Sequence, residues 1–127
     1  MSSLVGHSIL VVEDEALVAM DVQVCLQREG AYVVCAGSAA EAVRLADRPG
    51  LSAAIIDYDL GDENGESVCD RLAKRSVPFL FYSGWDANYL HDRWNSVPIL
   101  SKPVSPEELV SALQGLLGSA SVTGVAS

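Results

Sequence analysis

The chain has 127 residues, half of them apolar, and a net charge of −9, which suits one globular domain with a real core and leaves too little for two. The acidic balance argues against a nucleic-acid face and against an anionic membrane surface, no apolar stretch is long enough to cross a bilayer, and the first residues lack the pattern of a signal peptide. Cys25, Cys35 and Cys69 are scattered among apolar neighbours without metal-pair spacing, which predicts reduced core thiols and a cytoplasmic protein.

In chain order, the run SILVV from Ser8 predicts a first strand. A helix follows, in which Leu17, Met20 and Val24 recur at i, i+3 and i+7 and are expected to form its core face. YVVCA from Tyr32 predicts the second strand, and Ser38-Ala-Ala-Glu41 is a capping box opening a second helix through Ala46. AAIID from Ala53 is the third strand, followed by a helix expected to bury Val68 and Leu72. PFLFYS from Pro78 is the fourth strand. DANYLHDRW from Asp86 predicts a short, weakly amphipathic helix, with Trp85 and Trp94 partly exposed toward a partner. VPILS from Val97 is the fifth strand. Ser105-Pro-Glu-Glu108, a second capping box with proline at the first helical position, opens a last helix with Leu109, Leu113 and Leu116 inward. The segment 119–127, SASVTGVAS, has no periodicity and predicts a disordered tail, leaving a domain of residues 1–118.

Each run is continuously apolar rather than alternating, as in a parallel sheet covered on both faces. Five strands alternating with helices predict a doubly wound α/β domain. In such a sheet ligands bind beyond the carboxyl ends of the strands. The first run ends in Glu13-Asp14-Glu15, the third in Asp57 with Asp59 close behind, the fourth in Ser83-Gly84 and the fifth in Ser101-Lys102-Pro103. Two groups of carboxylates on one edge repel each other unless a cation joins them. Hard oxygen ligands of this kind suit Mg²⁺, which takes one or two carboxylates plus water and phosphate. A lysine supplies a point charge, and a serine a hydrogen bond, for a phosphoryl oxygen.

The motifs ILVVEDE, IIDYDLG, YSG and SKP, in this order at these strand ends, resemble the receiver domains of bacterial two-component response regulators. The resemblance covers residues 7 to about 118 and implies a flavodoxin-like fold with a five-stranded parallel sheet of order 2-1-3-4-5 and helices on both faces. It implies that Asp57 is the phosphoacceptor, that Asp14 binds Mg²⁺ directly and Glu13 through water, and that Asp59 offers its backbone carbonyl. Ser83 becomes the switch hydroxyl and Lys102 the lysine that meets the phosphoryl group. The donor would be a histidine kinase or a histidine phosphotransfer protein, and the protein would be no enzyme beyond its own phosphorylation and dephosphorylation. With no output domain read in the sequence, signalling would run through protein contact or by acting as a phosphate sink. PFLFYSGWD is similar to the equivalent stretch of the FAT GUY single-domain receivers, with Tyr82 and Ser83 in place of alanine and threonine. Ile99 stands where many receivers carry a rotating aromatic, and Val104 where a phenylalanine is common. The resemblance further implies a cis Lys102–Pro103 bond. Without the aromatic, the backbone freedom of Gly84 and the weak helix after it predict that Ser83 to about Trp94 carries the switch.

Taken singly, the same residues have plainer readings. Asp57 alone would be a structural strand end, Lys102 a surface lysine and Ser83 a turn residue; their company reverses this. The side chains of Asp62 and Glu63 read as a solvated turn. His7 and His91 lack ligand-spaced partners and read as surface residues, so no phosphodonor is expected within the chain. Asp57-x-Asp59 with a later lysine also resembles the haloacid-dehalogenase phosphatases, but the chain is short for one and its second acidic pair precedes Asp57. A flavodoxin would need a glycine- and hydroxyl-rich loop where this chain has Glu13-Asp14-Glu15. The DYDLGD stretch fails the calcium-loop pattern, and a degenerate receiver would lack the full set of residues.

Overall fold

The computed structural model describes residues 3–57, 59–60, 63–83, 94, 96–102 and 104–126, with the backbone alone at 59–60, 63–64, 83 and 119–126. The five apolar runs become the strands β1 (Ser8–Val12), β2 (Tyr32–Ala36), β3 (Ala53–Asp57), β6 (Phe79–Ser83) and β7 (Ile99–Ser101). They pair in parallel in the order β2-β1-β3-β6-β7, which is the expected 2-1-3-4-5 once a small hairpin is set aside. That hairpin joins β4 (Asp59–Leu60) to β5 (Glu63–Asn64), where the sequence suggested only an acidic turn. Every residue of β3 is buried, as a central strand with helices on both sides requires.

Among the described residues four helices cover the sheet: α1 (Ala16–Arg28), α2 (Ala39–Ala46), α3 (Glu66–Lys74) and α4 (Pro106–Ala126). On one face α2 and α3 close over Leu10, Val12, Ile56 and Phe81, and Val68 and Leu72 are buried as expected. On the other, α1 and α4 cover Ile9, Val11, Ile55 and Leu80, with Leu109 and Leu113 inward and Leu116 packed beside them. Both capping boxes form. The Glu41 N–H donates to Ser38 Oγ at 3.2 Å, and the Glu41 carboxylate accepts from the Gly37 N–H at 2.8 Å. At α4 the Glu108 N–H donates to Ser105 Oγ at 3.1 Å, while Glu108 Oε1 accepts from the Ser105 N–H at 3.4 Å.

One expectation is corrected. Leu17, Met20 and Val24 do not face the core: they are 77%, 57% and 40% exposed. The buried side of α1 is Leu26, with Val18, Val22 and Cys25 packed partly under it. Helix α1 is apolar nearly all round, so two stripes match the helical repeat and periodicity alone cannot choose between them. The helical backbone of α4 runs on to Ala126. Once α4 is nucleated by its cap and docked by its leucines, each further residue costs little, and no proline interrupts it.

All three cysteines are reduced, Cys69 buried and Cys25 and Cys35 half-buried, and burial pushes the latter two thiols up. Trp94 is helical and half-buried, its ring edge-on to Phe79 at 5.5 Å and its indole N–H donating to Glu66 Oε1 at 3.3 Å. The rest of the expected fourth helix, Trp85, His91, Asp62 and the Lys102–Pro103 bond lie outside the described residues.

Candidate functional site

The carboxyl ends of β1, β3, β6 and β7 meet on one edge of the sheet because parallel strands all point the same way. Glu13 follows β1, its backbone N–H held by Ala36 O at 2.9 Å, and its side chain is buried. Asp57, the last residue of β3, is 4% exposed. These are the two buried charged residues of the described core, and they lie together. Asp14, next to Glu13, is exposed. One carboxylate oxygen from each of Glu13, Asp14 and Asp57 lies within 4.8 Å of the others.

A cation from the far end of the chain joins them. Lys102, one residue beyond β7, places Nζ 3.0 Å from Asp57 Oδ2 and 3.1 Å from Glu13 Oε2. The Glu13 carboxylate has two further donors. Its Oε1 accepts from the Glu15 N–H at 3.0 Å, and its Oε2 from the Tyr82 hydroxyl at 2.6 Å. The Lys102 ammonium also sits 4.7 Å from the centroid of the Tyr82 ring, within cation–π reach. Tyr82 lies on β6 directly opposite Asp57 in the register of the sheet.

The electrostatics separate the two buried acids. Burial pushes Glu13 up, but the hydrogen bonds from Tyr82, the Glu15 N–H and Lys102 together outweigh it and leave Glu13 below the usual range. Burial raises Asp57 to about 6; Lys102 opposes that rise and the neighbouring Glu13 charge adds to it. Burial lowers Lys102, yet the two carboxylates more than compensate and keep it cationic. The Tyr82 hydroxyl is pushed far up by burial and by the Glu13 carboxylate, so it stays a protonated donor.

Of the residues singled out in the sequence, Glu13, Asp14, Asp57 and Lys102 come together here. Ser83 ends β6 in register with Ser101, beside Lys102, with only its backbone described. Asp59 opens the hairpin just past Asp57, also described by its backbone. Ile99 is half-buried on β7. Sequence reasoning treated Tyr82 only as a replacement for a smaller residue. The missed signal is a tyrosine near the end of a buried apolar run, since a buried hydroxyl almost always finds a partner.

The donor set fits a hard divalent cation such as Mg²⁺: clustered carboxylates, one of them exposed and open to water. Among the described residues no helix is long and apolar enough to cross a membrane. Residues 9–114 match the family described as Response regulator receiver domain. The chain is 31% identical over 114 residues to the phyllosphere-induced regulator PhyR of Methylorubrum extorquens, covering 86% of this chain and 43% of the relative. It is 30% identical over 115 residues to the transcriptional regulatory protein PdtaR of Mycobacterium tuberculosis, covering 87% of this chain and 56% of the relative. It therefore spans about half the length of these curated relatives. Among solved structures, the fold is similar to a CheY-like receiver domain protein from Methanospirillum hungatei JF-1, with TM-score 0.80 and 21% identity over 89% of this chain and 94% of that one. A receiver protein from Sinorhizobium medicae gives TM-score 0.81 at 23% identity, over 89% of this chain and 95% of that one. With its parallel sheet, its acidic edge and a family match over most of its length, the chain belongs to the response regulator receiver domains of two-component signalling.

Proposed function

We propose that Asp57 accepts a phosphoryl group from a phosphohistidine on a histidine kinase or histidine phosphotransfer protein, in a cytoplasmic relay. The observation that carries this is the single ammonium of Lys102 bridging Asp57 and Glu13 at the mouth of an acidic cluster. An Asp57 oxygen forms the new P–O bond as the P–N bond of the donor breaks, and the imidazole leaves with its electron pair and takes a proton from water. With a pKa of about 6, Asp57 is largely ionised at neutral pH and has the lone pair this step needs. In this reading Lys102 moves from the carboxylate to an oxygen of the incoming phosphoryl group, and the hydroxyl of Ser83, the last residue of β6, meets another. Glu13, Asp14, Asp57 and the backbone carbonyl of Asp59 would hold Mg²⁺, which when bound neutralises charge on the transferring phosphoryl group. Hydrolysis by water returns Asp57 to its free form, so the chain catalyses only its own loading and unloading. Output runs through phosphorylation-controlled protein contact or through draining phosphoryl groups from a shared donor.

The exposed Leu17, Met20 and Val24 begin at the rim of the acidic cluster, because α1 starts directly after Glu15. A donor protein must bring its histidine to that rim, so this apolar strip is the surface we assign to it. Intact mass after incubation with Mg²⁺ and acetyl phosphate tests the chemistry. One phosphoryl adduct is expected on wild type and none on Asp57→Asn; an equal yield in the variant refutes the assignment. Met20→Glu tests the surface: acetyl phosphate labelling should persist while transfer from a phosphohistidine protein slows, and equal transfer would remove the surface from the reading.

A further inference from the structure

We propose that Tyr82 is a positioning residue for the metal site, acting through Glu13 and Lys102. This rests on the reading of Glu13, Asp14 and Asp57 as a cation site. Tyr82 is 3% exposed on β6, and its hydroxyl reaches across the sheet edge to Glu13 Oε2 at 2.6 Å. The same oxygen accepts from Lys102 Nζ at 3.1 Å, and the Tyr82 ring lies under that ammonium at 4.7 Å. One side chain thus touches two of the groups that surround Asp57.

The consequence follows from counting lone pairs. Each carboxylate oxygen offers two. Oε2 of Glu13 uses both, on Tyr82 and Lys102; Oε1 uses one, on the Glu15 N–H. Among the described residues, the orientation of Glu13 is fixed by three donors on three segments of the chain. Tyr82 also limits how closely Lys102 can monopolise Glu13. Without the hydroxyl, Lys102 is the one partner of Oε2 left among the described residues, the pair tightens, and the ammonium competes better with an incoming cation. Hydrogen-bonded supports of metal-binding carboxylates commonly change metal affinity by one to two orders of magnitude. An aromatic therefore does serve this site, from β6 and as a fixed support, although Ile99 denies it the rotating one on β7.

The test is Mg²⁺ affinity, measured by calorimetry or tryptophan emission on the full chain. Tyr82→Phe keeps the ring under Lys102 and removes only the hydroxyl. It should bind Mg²⁺ about tenfold more weakly than wild type. In a Glu13→Gln background the same change should cost little or nothing, since the hydroxyl acts through that carboxylate. Equal or tighter binding by Tyr82→Phe, or an undiminished loss in the Glu13→Gln background, overturns the proposal. If wild type itself binds no Mg²⁺, the cation-site reading fails and the role of Tyr82 falls with it; if wild type binds and Tyr82→Phe binds equally, Tyr82 alone is wrong. A measurement on wild type covers the case of an unfolded variant. With ¹³C-labelled tyrosine, the Tyr82 hydroxyl proton should exchange slowly enough to be seen by NMR in both metal-free and Mg²⁺-loaded protein, and its absence from both overturns the hydrogen bond on which the argument stands.

Discussion

On one face of the sheet, α2 lays three buried alanines, Ala39, Ala42 and Ala46, against the strands, and α3 seals the rest with Val68, Cys69 and Leu72. On the other face α1 buries only Leu26 completely, turns Leu17, Met20 and Val24 outward, and leaves a groove of about 710 Å³ against α4. Val104 lines that groove, at the position where a phenylalanine was expected from the resemblance to receivers. The contrast separates two uses of apolar surface. Small residues let α2 lie close and bury Ala39, Ala42 and Ala46, with Val43 and Leu45 packed partly against the core. Helix α1 carries more apolar surface than the core takes, and the surplus begins beside the acidic cluster, the surface proposed above for the donor protein.

The largest test of that contrast is paired truncation. Leu72→Ala should cost about 2–5 kcal/mol, as for other fully buried leucines. Leu17→Ala should stay within about 0.5 kcal/mol, the range of surface changes. Denaturant melts decide it; comparable losses would mean that α1 contributes to the core as fully as α3.

A second test separates the site edge from both faces. The folded chain holds the Asp57 proton more tightly than an ordinary aspartate, with a pKa of about 6 against 3.8. Metal-free stability should therefore fall as pH rises from about 4 to about 6 and remain lowered above that. In EDTA at pH 7.5, Asp57→Asn should be more stable than wild type by about 2 kcal/mol, with the gap closing near pH 4. Saturating Mg²⁺ should restore wild type by roughly 2.7 kcal/mol at a hundred times its dissociation constant, and the variant by less. Thermal melts across pH check both; a gap that widens toward acid would reverse the sign argued here.

The smallest test concerns the caps, which the two faces share. Ser38→Ala at α2 and Ser105→Ala at α4 remove the same kind of hydrogen bond and should each cost about 1 kcal/mol. Equal losses would place the difference between the faces in side-chain packing; a much larger loss at α4 would place it in helix formation.

Much of this was legible in the chain. The five continuous apolar runs gave strands of nearly the expected bounds, and the order of motifs at their ends brought Glu13, Asp14, Asp57 and Lys102 to one edge. The two Ser-x-x-Glu boxes marked real helix starts because capping is a local contact. What failed were the features that need tertiary information. The core stripe of α1 was ambiguous between Leu17, Met20, Val24 and Val18, Val22, Cys25, since both fit the helical repeat. The β4–β5 hairpin was hidden in an acidic stretch, although Gly61-Asp62 is a recognised two-residue hairpin pair. The partnership of Tyr82 with Glu13 spans distant segments that no local pattern links.

The sheet order also sets a timetable. Strand β1 has β2 and β3 as its two neighbours, so everything needed for the three-stranded half of the sheet has left the ribosome by Asp57. That half already contains Glu13, Asp14 and Asp57, while Tyr82 and Lys102 have yet to emerge. During translation the acids emerge before their own lysine does. Early pairing of these strands is thus opposed by charge until β6 and β7 arrive, which favours docking of the sheet as a whole over a stable N-terminal half.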